Sequence, residues 1–170
     1  DLTMAYISFQ PKDYFATKLY SGTGSSNAIT NLGFSPTWVW IKSRSAGEGH
    51  GLCDQLRGVN VRLQSHSTSA QSTQTDSLAS FDSDGFTVGG SSNNDAVNGS
   101  GQNFVSWNWK ANGAGSSNTD GSITSTVSAN TTSGFSIVKY NGNSSSSSTI
   151  GHGLGVTPSV ILLKNAGQAE

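Results

Sequence analysis

The chain repeats itself, and that repeat constrains its fold more than any other feature. Residues 15–47, FATKLYSGTGSSNAITNLGFSPTWVWIKSRSAG, match residues 135–167, FSIVKYNGNSSSSSTIGHGLGVTPSVILLKNAG. Phe15 falls on Phe135 and Tyr20 on Tyr140, an offset of 120. Leu32, Pro36 and Lys42 fall on Leu154, Pro158 and Lys164, an offset of 122. The two extra residues lie within Ser144–Ser148, and a place that absorbs an insertion without disturbing its flanks is a surface loop. The five serines therefore read as the tip of a long hairpin between strands at 135–140 and 159–164. LGFSP and LGVTP each supply a glycine suited to positive φ and a proline that opens the next strand.

The repeat also sets expected boundaries. Residues 1–13 form a lead strand and connection, 14–132 a first β-sandwich repeat, and 133–170 the start of a second, which stops at Glu170. Residues 48–132 have no counterpart in the second copy, so the array is expected to continue.

Between the repeats the pattern is that of short strands. Strands are expected at 3–9, 15–20, 27–31, 37–43, 59–65, 103–111 and 122–129, with a hairpin over 78–90 turning at Ser83-Asp84-Gly85. Residues 53–58 read as a helical turn or a bend, and 66–77 and 91–102 as polar loops. No segment keeps a 3.6-residue period over three turns. The expected class is an all-β antiparallel sandwich of jelly-roll type. In NFVSWNWKA, Val105, Trp107 and Trp109 alternate with polar neighbours, which places Trp107 and Trp109 in the core of a central strand. Trp38 and Trp40 align with Val160 and Leu162, and an aromatic traded for an aliphatic likewise reads as core.

Composition narrows the function. Only 11% of the 170 residues are charged and the net charge is −1. Ser, Thr, Asn and Gly make up roughly half the chain. Phosphate binding needs clustered Lys and Arg, so a nucleic-acid partner is excluded, and no apolar run is long enough to span a bilayer. The single Cys53 rules out an intrachain disulfide and reads as a buried, inert thiol.

Few residues suggest chemistry. His50, Asp54 and Arg57 cluster in GHGLCDQLRG; they read as a ligand-facing group, with Arg57 bidentate on a sugar acid, or as an ion pair pinning the turn with His50 capping a carbonyl. Asp82 and Asp84 resemble the start of a calcium loop, which Asn93, Asn94 and Asp95 would complete only if the loops converge. The strand resumes at Phe86, so a turn is expected, with Asp82 bonding the backbone two residues on, and no metal or cofactor. Candidate ligand-binding residues are thus His50, Asp54, Arg57, Asn93, Asn94 and Asp95. No catalytic residue is nominated: His66 lies between serines without a nucleophile elbow, and Glu48 and Glu170 are the only glutamates. His152 falls in the turn that holds Asn31 in the first copy and reads as structural. Asn98, Asn130 and Asn143 fit the glycosylation pattern in a chain where chance matches abound.

LGFSPTWVWIKSRS, HGLCDQLRG followed by SFDSDGFTVG, FVSWNWKANG, and TTSGFSIVKYNG with GHGLGVTPSVILLK carry a resemblance over most of residues 9–170. In these blocks the chain resembles tandem-repeat proteins encoded by marine bacteriophages, found among tail fibre and other virion-structural genes. The resemblance implies a concanavalin-A/laminin-G-like sandwich and contact with host-surface glycans. It implies a non-enzymatic virion protein, partnered by other virion proteins and by copies of itself, made in the bacterial host cytoplasm. The alternative is a capsid decoration or filament/shaft protein with a purely architectural role. Members usually carry an aromatic where this chain has Cys53, and they transfer no catalytic residue.

Overall fold

The computed structural model describes residues 9–75, 77–90 and 95–167, with the backbone alone at Asp95. The strand expected over 3–9 lies outside these residues except for Phe9. After a 3-10 turn at Pro11–Asp13, the chain forms β1 (Phe15–Ser21), β2 (Asn27–Ile29), β3 (Trp38–Ser43), β4 (Gly51–Asp54), β5 (Val61–Arg62) and β6 (Ser72–Thr73). There follow β7 (Leu78–Asp82), β8 (Gly85–Val88), a single helical turn α1 (Asp95–Asn98), β9 (Asn103–Trp109), β10 (Ser116–Asn118), β11 (Ser125–Asn130) and β12 (Phe135–Tyr140). All strand pairings are antiparallel, as expected of an all-β sandwich.

One sheet runs β1-β9-β3-β4 and a second runs β2-β8-β7. Both turn an apolar face inward. Val39, Ile41, Cys53 and Phe104 meet Ile29, Leu78, Phe86 and Val88, and Tyr20 stacks on Phe104 at 5.2 Å. Val97, on α1, seals the open end of this core. Asn98 beside it is buried and fully used: its amide donates to Ser25 O and Gly89 O, and its Oδ1 accepts from Thr23 N and Asn27 Nδ2. That asparagine fastens α1 to residues 23–27 and to Gly89, and its burial removes it as a glycosylation acceptor.

The central strand is right and its buried face is inverted. Phe104, Ser106 and Asn108 are fully buried, whereas Trp107 and Trp109 are half-buried on the outer face. The polar pair is bonded there through the amide nitrogen: Asn108 Nδ2 donates to Ala16 O and to Ser106 Oγ, both at 3.0 Å, while its buried Oδ1 has no partner among the described residues. Trp38 and Trp40 are outward too, in antiphase with the buried Val39 and Ile41.

Two further expectations change. The repeat counterparts β1 and β3 are not a hairpin, because β9 lies between them and pairs with both. In the second copy, residues 159–164 form no strand at all. Residues 141–147 are exposed, as a surface loop should be, but they do not cap a hairpin. The boundary expected at 132/133 falls in the turn between β11 and β12, which pair along their whole length.

The turns of the two copies do agree. Gly33 and Gly155 sit at φ 83° and 72°, the left-handed conformation expected of them. Leu32 and Leu154, just before them, are both buried.

Candidate functional site

Antiparallel register builds the outer face of the β1-β9-β3-β4 sheet row by row. Phe15, Trp109 and Trp38 lie abreast in one row, and Thr17, Trp107, Trp40 and Leu52 in the next. Alternation alone then brings four tryptophans together. Trp38 stacks on Trp109 at 4.7 Å, lies 6.0 Å from Trp40, and Trp40 meets Trp107 edge-on at 5.9 Å. Such offset and edge contacts are favoured by the ring quadrupoles. Phe15 and its repeat counterpart Phe135 both border Trp109, at 4.9 and 5.9 Å. The second copy thus packs Phe135 onto the first row, while Trp40 and Trp107 are half-buried without a ring from the second copy over them.

His50 stands next to the Trp40–Trp107 row. Trp40 Nε1–H donates to His50 Nδ1 at 2.8 Å, and the backbone N–H of His50 donates to His66 Nδ1 at 3.0 Å. The imidazole is therefore an acceptor for an indole and does not cap a carbonyl. The two histidine rings are 5.8 Å apart and 31° from parallel. Any side chain on Gly49 would run into the His66 ring, which explains glycine there. Burial, then the Lys42 ammonium, then His66 hold the His50 pKa below its ordinary value. Lys42 is anchored by donating to Ser43 O and Glu48 O, both at 2.8 Å.

Asp54 and Arg57 are not free to bind a ligand. Arg57 Nε and its backbone N–H donate to the Asp54 carboxylate at 2.6 and 2.9 Å, and Arg57 Nη2 also donates to Leu52 O. Both side chains are more than nine-tenths buried. This is the turn-pinning pair, and it leaves no fork for a sugar acid. Asn93, Asn94 and the side chain of Asp95 lie outside the described residues; of the described candidates, His50 borders the aromatic face unpaired by any counter-charge, while Asp54 lies opposite Trp38 and is held by Arg57.

The two aspartates of the β7–β8 hairpin do separate work. Asp82 accepts from the hydroxyls of Ser80 and Thr87 at 2.7 and 2.8 Å, not from the backbone. Asp84 accepts from Asn31 N and Gly33 N at 3.1 and 2.6 Å, bracing the first repeat turn. In the second copy His152 braces the matching turn, its Nδ1 accepting from Leu154 N at 3.2 Å. Cys53 is buried, and burial pushes its thiol up to about 11. Among the described residues no three His, Cys, Asp or Glu side chains gather as a metal site, and no helix is long and apolar enough to cross a membrane.

Sequence reasoning missed His66, set aside for want of a catalytic motif, and missed that the tryptophans face outward. WVWIK is apolar on both faces, so its alternation alone did not say which one turns inward.

No curated protein and no solved structure matches the chain. Its outer aromatic face, buried core and repeat turns all lie within residues 10–170, which match the family described as Domain of unknown function (DUF7483), and the chain belongs to that family.

Proposed function

We propose that this protein is a non-enzymatic binding module of a phage tail fibre or appendage, carried on the virion surface, where its aromatic face contacts host-surface glycans. The single observation that carries this reading is the half-open Trp40–Trp107 row on the sheet face turned away from the core. Indole rings offer flat apolar surface to the C–H faces of pyranose rings, with polar groups at the margin to fix orientation. Half-exposed aromatics gathered in one patch mark an interaction surface more often than scattered ones do. The resemblance to tail-fibre repeats supplies the setting.

The test is binding of the purified protein to an array of bacterial surface polysaccharides and to whole host cells. Expected is saturable binding that Trp107→Ala weakens at least tenfold with the fold retained. Absence of binding to every glycan and strain would overturn the reading.

One observation favours the architectural alternative of a decoration or shaft protein associating with copies of itself. Val160–Leu163 are each more than two-thirds exposed, a contiguous apolar run on a chain otherwise dressed in hydroxyls. Copy number in the intact particle separates the two: hundreds of copies mean decoration or filament, a few tens or fewer a tail fibre.

A further inference from the structure

The histidines flanking the aromatic row have their tautomers fixed by their neighbours. His50 Nδ1 accepts the Trp40 indole proton, and His66 Nδ1 accepts the His50 backbone proton. A neutral imidazole accepting at Nδ1 carries its own proton on Nε2. Among the described residues neither Nε2–H has a protein acceptor, and His50 is half-exposed and His66 exposed. Trp107, Trp40, His50 and His66 form a chain of rings in which each is within 6 Å of the next. The Lys42 ammonium also acts on His50. The carboxylate of Asp54 is paired with Arg57. The margin of the aromatic row is therefore rich in donors and has a positive field.

We infer that His50 and His66 select an acidic saccharide, their two Nε2–H groups donating to the carboxylate of a uronic acid whose ring lies on the Trp40–Trp107 row. A carboxylate is acceptor-only and takes two donors at once, and hydrogen bonds to an ionised acceptor are stronger than neutral ones. A neutral sugar hydroxyl at the same place makes weaker bonds. This inference rests on the glycan-binding reading and adds the ligand's charge class. The role sequence reasoning offered to Arg57 thereby passes to the histidine pair.

The probes are oligogalacturonate and a neutral galactose oligomer of equal length, titrated against the intact chain by calorimetry and tryptophan fluorescence. Expected is binding of the acidic oligomer at least tenfold tighter than the neutral one, with acetate at the same concentration failing to compete. His66→Asn keeps an acceptor for the His50 N–H but loses the Nε2 donor. It should keep the wild-type melting temperature, weaken the acidic oligomer about tenfold and weaken the neutral one much less. A purely structural His66 would weaken both equally or neither. Equal affinity for the two oligomers, no effect of His66→Asn on their ratio, or competition by acetate overturns the inference and leaves the aromatic platform standing. No binding of either oligomer or of any arrayed glycan overturns both.

Discussion

Strand β3 and its repeat counterpart at 159–164 carry one pattern and meet different fates. TWVWIK is sandwiched between β9 and β4, and its Val39 and Ile41 are fully buried. SVILLK aligns with it residue for residue, yet Ile161 and Leu163 are 75% and 76% exposed, without a neighbouring strand among the described residues. The second segment has at least as much β propensity as the first. What it lacks is the two ladders that would satisfy its backbone and the opposing sheet that would bury its side chains. Strand propensity means fitness for a pleated, half-buried surface, and without that surface it is unspent. The contacts that do hold 159–167 are at its end, where Lys164 Nζ donates to Ser67 O and Ala166 O accepts from Gln71 N.

The largest effect expected from this comparison is on stability. Phe104→Ala, in the heart of the core, should cost about 3–5 kcal/mol and Ile41→Ala about 2–5 kcal/mol, the loss of transfer energy plus a cavity. Leu163→Ala, at the matching position of the second copy, should stay within about 0.5 kcal/mol, as exposed substitutions do. Denaturant midpoints of the three variants measure this directly. A loss at Leu163 as large as that at Ile41 would mean that 159–164 is buried in solution, and the contrast would collapse.

The outer face lies between these extremes. Trp107→Ala removes a half-buried ring with an edge contact to Trp40 and no share in the inter-sheet core. It should cost about 1–2 kcal/mol, less than Phe104→Ala three residues away on the opposite face of β9. A cost equal to that of Phe104 would place the ring in a fully packed interior and remove it from the binding surface.

These residues also show what was legible in the sequence. The class, most strand positions, the β7–β8 hairpin, the buried Cys53 and the glycine turns of both copies follow from period-two alternation and turn chemistry, which are local. Face assignment is not local. In NFVSWNWKA the inward set contains Ser106 and Asn108, and the amide of that buried asparagine finds its backbone partner in Ala16 O across β1. In TWVWIK both faces are apolar, so the pattern alone had no sign. The partnering of Asp54 with Arg57 was legible because the two lie three residues apart on one turn. The meeting of His50 with His66 depends on how the chain returns past β4, where Leu52 and Leu63 exchange backbone hydrogen bonds at 2.9 Å. No spacing encodes that.

The serine tract is where the two copies differ least in consequence. Deleting two serines from Ser144–Ser148 restores the loop length of the first copy. The tract's own bonds are local, with Asn143 Oδ1 accepting from Ser145 N and Ser148 Oγ. Loop-closure entropy changes by only about 0.6 kcal/mol per doubling of length, so stability should move by less than about 0.5 kcal/mol. A larger loss in the melting temperature would reveal that the tract packs on something.

The smallest effect belongs to His50 and is read as a slope against pH. Its pKa is held below the ordinary 6.5 by burial first, then by Lys42 and His66. The unfolded chain therefore binds more protons than the folded one as pH falls through 6.5, and stability falls with it, until the folded-state value is passed. Protonating Nδ1 also turns the acceptor of the Trp40 indole into a donor, so the 2.8 Å bond is lost with the charge. His50 is half-exposed and solvent screens its neighbours, so the change is modest. The melting temperature should decline gently from pH 7.5 toward 5.5 (about the range over which an unperturbed histidine titrates), and His50→Gln should flatten that decline. Gln offers an oxygen to the indole N–H without titrating. If the decline persists unchanged in His50→Gln, it comes from other groups, and the Trp40–His50 bond contributes nothing to holding the outer face. His66→Gln is the control, because that ring is exposed and its loss should leave most of the slope in place.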